Sequence, residues 1–210
     1  MFYYIFITII FVLTLGLNAK PTALHANEPE RCCIPKQFSS QVSTGAGVKL
    51  PDGTTAGSYG YYNFSYDSYQ GMVGMRGVSF TIPDQQKSNL WIIENIKTGQ
   101  TYTIDEDEKK CYKSSLPIKP VNCIPDTATY LHSSTYGYGD KQIMADTWYV
   151  NIDQVINYAT VSRDGLCVPL GGHVFFTDPT VVSSMTTTDF VPKINDPSIF
   201  DIPEECHNAI

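Results

Sequence analysis

The hydrophobic positions of this chain recur in short runs that are separated by turn signals, and few segments carry a helical stripe. Short apolar or alternating runs predict strands, because successive side chains of a strand point to opposite faces of a sheet. The runs are 61–66, 72–82, 90–96, 101–104, 143–150, 155–161 and 174–176. This pattern predicts a mainly all-β fold, either an antiparallel sandwich or an open barrel.

Turn dipeptides indicate where the chain reverses. Asp52-Gly53 and Asp164-Gly165 supply the positive φ angles of a tight hairpin, and Thr98-Gly99 is a weaker version of the same signal. Helix signals are confined to the end of the chain, where Asp196-Pro197 has the form of an N-cap followed by proline in the first turn. We expect three hairpins and one or two short helices near the C-terminus.

Residues 2–17 form an apolar run that is broken only by two threonines and a glycine. The run is shorter than the roughly 20 residues that cross a bilayer, and no later segment is apolar enough for a span. It predicts a signal peptide over 1–19, with cleavage after Ala26 as the second choice and an uncleaved anchor as the alternative. Neither a repeat nor a long linker divides residues 20–210, so we expect a single secreted domain.

The six cysteines favour disulfides over a metal site. They are Cys32, Cys33, Cys111, Cys123, Cys167 and Cys206. An even count behind a secretory signal predicts three disulfides, and the spacing that zinc ligands need is absent. The sequence Asn63-Phe64-Ser65 is a candidate glycosylation site.

The formal net charge of −7 disfavours nucleic-acid binding, because no basic cluster offsets it. Catalysis has no positive support either: the strings GxSxG and HExxH do not occur, and His25, His132, His173 and His207 are scattered. We therefore expect a protein that is not an enzyme, with an undetected hydrolase as the weakest alternative.

The densest acidic run is Asp105-Glu106-Asp107-Glu108. Its spacing is not that of a 12-residue calcium loop, which needs ligands at alternate positions and a central glycine. A solvated hairpin tip is the plainer interpretation. Loose calcium coordination by Asp105, Asp107 and Glu108 is the alternative.

Aromatic and β-branched side chains suggest a ligand pocket. Alternation places neighbouring pairs of them on one face of each strand, and a curved sheet with such residues inside can enclose an apolar ligand. The candidates are Trp91, Ile93, Tyr102, Ile104, Trp148, Val150, Ile156, Tyr158, Val174 and Phe176. Ordinary core packing between two sheets explains the same pattern.

Several short motifs together resemble a known family. They are Cys32 with Pro35, Ser65-Tyr66-Asp67, Cys111-Tyr112-Lys113, Ile124-Pro125, Trp148, Cys167 with Pro169, and Asp196-Pro197-Ser198-Ile199-Phe200 with Pro203 and Cys206. Each motif is weak alone, but their order and spacing are specific. Over nearly all of its mature length the chain resembles the ependymin and ependymin-related family.

This resemblance implies a secreted glycoprotein, often dimeric, in which two stacked antiparallel sheets form a bag-like apolar pocket similar to that of bacterial lipoprotein carriers. It implies bridges Cys32–Cys167 and Cys111–Cys206, which leave Cys33 to pair with Cys123. A shift of one residue would exchange the partners of Cys32 and Cys33. The resemblance also associates the chain with calcium binding and cell–matrix adhesion.

Two functions from different classes follow. In the first, the protein binds a hydrophobic or lipid-like molecule between its sheets. In the second, it is a calcium-dependent adhesion protein that binds extracellular matrix such as collagen through its surface. A homodimer is expected with either function.

Overall fold

The computed structural model describes residues 28–116, 122–152, 155–177 and 180–207, and the predicted signal peptide lies outside these ranges. Within them the chain forms eleven strands and two short 3-10 helices. The elements are β1 (Gln37–Lys49), β2 (Thr55–Asp67), β3 (Met72–Ile82), β4 (Lys87–Asn95), β5 (Gln100–Asp105), β6 (Lys110–Ser115), β7 (Thr129–Tyr138), β8 (Lys141–Ile152), β9 (Val155–Ser162), β10 (Pro169–Thr177), β11 (Thr180–Val191), η1 (Pro197–Phe200) and η2 (Glu204–Cys206).

All eleven strands belong to one antiparallel sheet in the order β6-β5-β4-β3-β2-β1-β11-β10-β9-β8-β7. The all-β prediction is confirmed. The strands form one hydrogen-bonded sheet rather than two, because β1 pairs with β11 from Ser39↔Val191 to Val48↔Val181 and so joins the two halves at the centre. No helix in the described ranges is long and apolar enough to cross a membrane.

The predicted turns lie between paired strands. Gly53, Gly99 and Gly165 have φ of 86°, 66° and 84°, and they connect β1 to β2, β4 to β5 and β9 to β10. The three predicted hairpins are therefore confirmed. The C-terminal prediction is confirmed as well: the Asp196 side chain accepts a hydrogen bond from the Ser198 amide, and Pro197 begins η1.

The register of the ladders defines two faces of the sheet. Residues that pair directly across neighbouring strands share a face, and one such row runs across β1 to β5: Phe38, Tyr66, Val73, Glu94 and Thr101. We call the face that carries this row the inner face and the opposite one the outer face.

Two buried apolar clusters occupy the inner face. The first lies on β1 to β4 and includes Phe38, Phe64, Met75 and Ile92. The second includes Trp148 and Val150 of β8, Val161 of β9 and the loop residues Ile124, Ala128 and Cys167. Ile34, which precedes β1, packs against both clusters. The inner faces of the two halves therefore share one interior.

The outer face of β3 to β6 is covered by the C-terminal segment 192–207. Ile199, Phe200 and Cys206 bury themselves against Ile93 and Ile104, and the Trp91 indole donates a hydrogen bond of 2.8 Å to the Ile199 carbonyl. Gly74 permits this approach, because a Cβ there would lie 2.8 Å from the Ile199 oxygen.

Three disulfides join distant parts of the chain: Cys32–Cys167, Cys33–Cys123 and Cys111–Cys206. The first and third are the pairs that the family resemblance implies, and the second is the pair that they leave. Each closes a loop of 90 residues or more, and the chain-entropy model assigns loops of that size roughly 4–5 kcal/mol each. The first two hold the segment before β1 in the interior, and the third fixes the C-terminal segment to β6.

Candidate ligand-binding face

The inner face of β1 to β4 is built from large apolar side chains at alternate positions. The Phe38 ring lies 5.4 Å from the Phe64 ring, 5.6 Å from that of Tyr66 and 5.1 Å from that of Phe190 on β11. Phe38, Phe64 and Tyr66 are at most 4% exposed. This part of the face is a continuous apolar wall that crosses the centre of the sheet.

The wall continues on the other half of the sheet. Trp148 is 1% exposed and meets the Tyr130 ring edge-on at a centroid distance of 5.6 Å. The Arg31 guanidinium lies 5.1 Å from the centre of the Trp148 ring and forms an ion pair of 2.8 Å with Glu28. This cation therefore already has a partner.

Polar atoms interrupt this apolar interior. Within the described ranges, four buried side-chain atoms have no hydrogen-bond partner: the hydroxyls of Ser40, Thr101 and Thr187, and Oε2 of Glu94. The strand register places all four on the inner face: Ser40 opposite Phe64, Thr187 opposite Val42, and Glu94 opposite both Val73 and Thr101.

Glu94 is the ionisable member of this set. Its side chain is 1% exposed, and burial raises the pKa of its carboxyl from the ordinary 4.5 to about 8. Desolvation disfavours the charged form of an acid, so at neutral pH the carboxyl is mainly protonated. It can then both donate and accept a hydrogen bond.

The ten residues predicted to line a pocket are divided between the faces. Trp148, Val150, Val174 and Phe176 lie on the inner face, whereas the other six lie on the outer face. Among those six, Ile93 and Ile104 are packed under the C-terminal segment together with Trp91 and Tyr102. Ile156 and Tyr158 lie on the outer side of β9, where Tyr158 contacts the rings of Tyr149 and Phe175. The structure therefore does not bring the ten together.

Sequence reasoning missed the inner-face residues of β1 and the buried acid of β4. β1 reads QFSSQVSTGAGVK, in which Phe38, Val42 and Val48 are too widely spaced to stand out as a strand. The sequence did contain an indication of Glu94. It is the one acid inside the apolar run 90–96, and such a run predicts buried positions.

The outer face carries a groove of about 300 Å³ between the sheet and the C-terminal segment. Its walls include Gln41, Asn63, Arg76, Asp189 and Asp196. Apolar ligands favour sites that are lined mainly by hydrophobic side chains, so this polar groove does not suit a lipid. The exposed side chain of Asn63 gives the predicted glycosylation site a position on this outer groove.

The acidic run forms the turn between β5 and β6. Asp105 accepts hydrogen bonds from the amides of Asp107 and Glu108, both at 3.0 Å. Asp107 accepts a bond from the Asn89 side-chain amide at 2.7 Å, and Glu108 pairs with Lys110 at 2.7 Å. In the parts of the chain that the structure describes, no group of three or more His, Cys, Asp or Glu side chains is arranged to hold a metal ion.

The comparisons with known proteins agree on the family. The Ependymin family model matches residues 84–206. A curated relative, Ependymin-related protein 1 of Haliotis asinina, is 27% identical over an alignment of 194 residues that covers 84% of this chain and 90% of the relative. Ependymins are generally not enzymes. The family and the three disulfides together favour an extracellular protein.

Solved structures give weaker likenesses. A DUF1329 family protein from Desulfovibrio piger is 8% identical, with a TM-score of 0.32 over 80% of this chain and 90% of its own. An outer membrane lipoprotein-sorting protein domain from Vibrio parahaemolyticus is 6% identical, with a TM-score of 0.32 over 81% of this chain and 89% of its own. Both TM-scores are too low to bear on fold or function. The family model covers more than half of the chain, which therefore belongs to the ependymin family.

Proposed function

We propose that this protein is a secreted, non-enzymatic binding protein that holds a lipid-like molecule against its inner face. The observation that carries this proposal is the set of four buried polar atoms without partners, all on that face. An ordinary core satisfies nearly all of its buried polar groups, because each unmade hydrogen bond costs about 1–3 kcal/mol. An amphiphilic ligand needs both features: an apolar wall for its tail and polar atoms without partners for its polar end.

The apolar wall supplies the driving force. Each methylene that leaves water contributes about 0.8 kcal/mol. An eight-carbon chain therefore gains roughly 6 kcal/mol before the entropic cost of binding is subtracted. Phe38, Phe64, Tyr66, Met75 and Ile92 provide the surface for such a chain.

Native mass spectrometry of the purified protein tests this function. We expect a bound amphiphile, and after extraction we expect a neutral fluorescent lipid probe to bind in its place. A protein that carries no ligand and does not bind the probe would contradict the proposal.

Two adjacent tyrosines provide a matched pair of variants for locating the probe. Tyr62 is 4% exposed on the inner face, and Tyr61 is 50% exposed on the outer face. Tyr62→Ala is expected to change the probe affinity severalfold, whereas Tyr61→Ala leaves it unchanged. The reverse result would place the probe on the outer face.

The predicted homodimer has a candidate surface. Exposed apolar side chains form a band on the outer face, with Tyr59 at 47%, Val182 at 45% and Phe175 at 36% exposure. Exposed apolar patches of this kind are common at protein interfaces. Sedimentation analysis of a Tyr59→Ser, Phe175→Ser double variant tests this surface: we expect it to be monomeric if the wild-type chain forms a dimer there.

Calcium-dependent adhesion stays the alternative function. Asp105, Asp107 and Glu108 already have internal hydrogen-bond partners, so a calcium ion would have to displace them. Binding of the protein to a collagen-coated surface, measured with and without a chelator, tests this alternative. Equal binding in both conditions would remove the calcium requirement.

A further inference from the structure

We propose that Glu94 and Thr101 bind the polar end of the ligand, and that they select an amphiphile whose polar end is an amine or an alcohol rather than an anion. This inference rests on the proposed function, since it names the chemistry of the ligand at the inner face. Neither side chain is among the candidate residues that the sequence analysis names.

The geometry places the two unpaired groups next to each other. Glu94 on β4 and Thr101 on β5 are direct cross-strand partners on the inner face, so their Cβ atoms are about 5 Å apart. Their exposures are 1% and 0%. Oε2 of Glu94 and Oγ1 of Thr101 both lack a partner. A single donor group placed between them can satisfy both oxygens.

The charge of the surroundings decides which ligands fit. In the described ranges the inner positions of β1 to β5 and β8 to β11 carry no Lys or Arg side chain. Two cations lie elsewhere on the inner side, Arg31 beside Trp148 and Lys110 on β6, and each is already paired with a glutamate. A carboxylate or phosphate on the ligand would be buried without a counter-charge beside an acidic side chain, and such burial is costly. An ammonium group pairs with the Glu94 carboxylate, and a hydroxyl group bonds to the neutral carboxyl.

A row of buried apolar side chains leads away from this point across the sheet. Val73 lies opposite Glu94 on β3, and Tyr66 and Phe38 continue the same row on β2 and β1. The row crosses three strand spacings of about 4.8 Å each, or about 14 Å from β4 to β1. A medium-length acyl or alkyl chain spans that distance.

Proton release distinguishes an amine from an alcohol. Because the Glu94 pKa is about 8 without ligand, pairing with an ammonium group must expel the carboxyl proton below that pH. Amine affinity should rise about tenfold for each pH unit between pH 6 and 8 and then level off. Alcohol affinity should not change over this range.

The pH profile of amine binding reports on Glu94 only if no neighbouring group causes the same change in affinity. On the inner face around Glu94, β3 presents none, and the neighbouring strands present the following: Tyr62 and Tyr66 on β2, Asp105 on β5, and Lys110 and Tyr112 on β6. Burial holds the pKa of both β2 tyrosines above the ordinary value of 10. Lys110 is paired with Glu108.

Calorimetric titration with decylamine, decanol and decanoate tests the inference, because the three probes share one tail. We expect the wild-type protein to bind the amine and the alcohol at pH 8 roughly 10–100-fold more tightly than decanoate, the range expected for a charge-assisted hydrogen bond. Glu94→Leu should remove the advantage of the amine over decanoate, because neither charged end then has a counter-charge, and it should also remove the pH profile of the amine. Glu204→Gln, at an exposed acid, should change neither.

The outcomes separate the two proposals. If all three probes bind equally and Glu94→Leu changes nothing, the polar selection is wrong, while lipid binding stands. If no probe binds the wild-type protein, the proposed function fails and the inference fails with it. Should Glu94→Leu not fold, as judged by circular dichroism, Glu94→Gln replaces it, and retention of the amine pH profile in that variant would overturn the inference.

Discussion

Replacing Glu94 by Gln is expected to remove a pH-dependent loss of stability. The Glu94 carboxyl is buried, and its pKa is raised from 4.5 to about 8 in the folded protein. Between these values the folded chain keeps a proton that the unfolded chain releases. Stability therefore falls as the pH rises, since it increases with pH only where the unfolded state binds more protons.

The size of the effect follows from the pKa values. The loss is about 1.4 kcal/mol for each pH unit between 4.5 and 8, or roughly 3–5 kcal/mol over the whole range. Gln cannot ionise, so its variant should lack this loss. The difference in unfolding free energy between variant and wild type should therefore grow in favour of the variant as the pH rises.

Denaturant unfolding of delipidated protein, with the disulfides intact and at pH values from 5 to 9, measures this difference. Fluorescence of Trp91 and Trp148, which are the two tryptophans of the chain, reports unfolding of both faces. Glu204→Gln serves as the control, because Glu204 is exposed. Stability curves of Glu94→Gln and wild type that stay parallel across this pH range would refute the reasoning.

Two further predictions concern the C-terminal segment. Replacing both Cys111 and Cys206 by Ala should cost up to about 4–5 kcal/mol of stability and expose the segment to limited proteolysis; a protease-resistant C-terminus would show that packing alone holds it. Gly74→Ala places a methyl group 2.8 Å from the Ile199 carbonyl oxygen, so it should lower the free energy of unfolding by about 1–3 kcal/mol in denaturant unfolding. Gly47→Ala is the control, because no atom lies within 4 Å of its Cβ, and it should lower that free energy much less. Equal effects of the two substitutions would contradict the close approach of η1.

The strands with dense apolar residues could be predicted from the sequence, whereas β1 and β11 at the centre of the sheet and β6 and β7 at its edges could not. β1 and β11 are rich in Ser, Thr and Gly, which give no clear period. They are strands because they pair with each other and with β2 and β10. That pairing joins parts of the chain that are distant in sequence, so no local pattern contains it.

The residues of the candidate site could be grouped within a strand from the sequence, but not between strands. Alternation correctly groups Trp91 with Ile93, and Trp148 with Val150, because each pair lies within one strand. It cannot say whether two strands far apart in sequence direct those pairs to the same face. Only the register decides this, and it places the first pair outside and the second inside.

The β1–β11 pairing has a consequence for biosynthesis. Ser39 pairs with Val191, which is synthesised much later. At ordinary translation rates of about 5–20 residues per second, the delay between the synthesis of the two residues is roughly 8–30 s. During that time the 13-residue β1 has an unpaired edge, which is a template for wrong pairing between chains. Wrong pairing at this edge therefore competes with correct folding until β11, the last strand, has been synthesised.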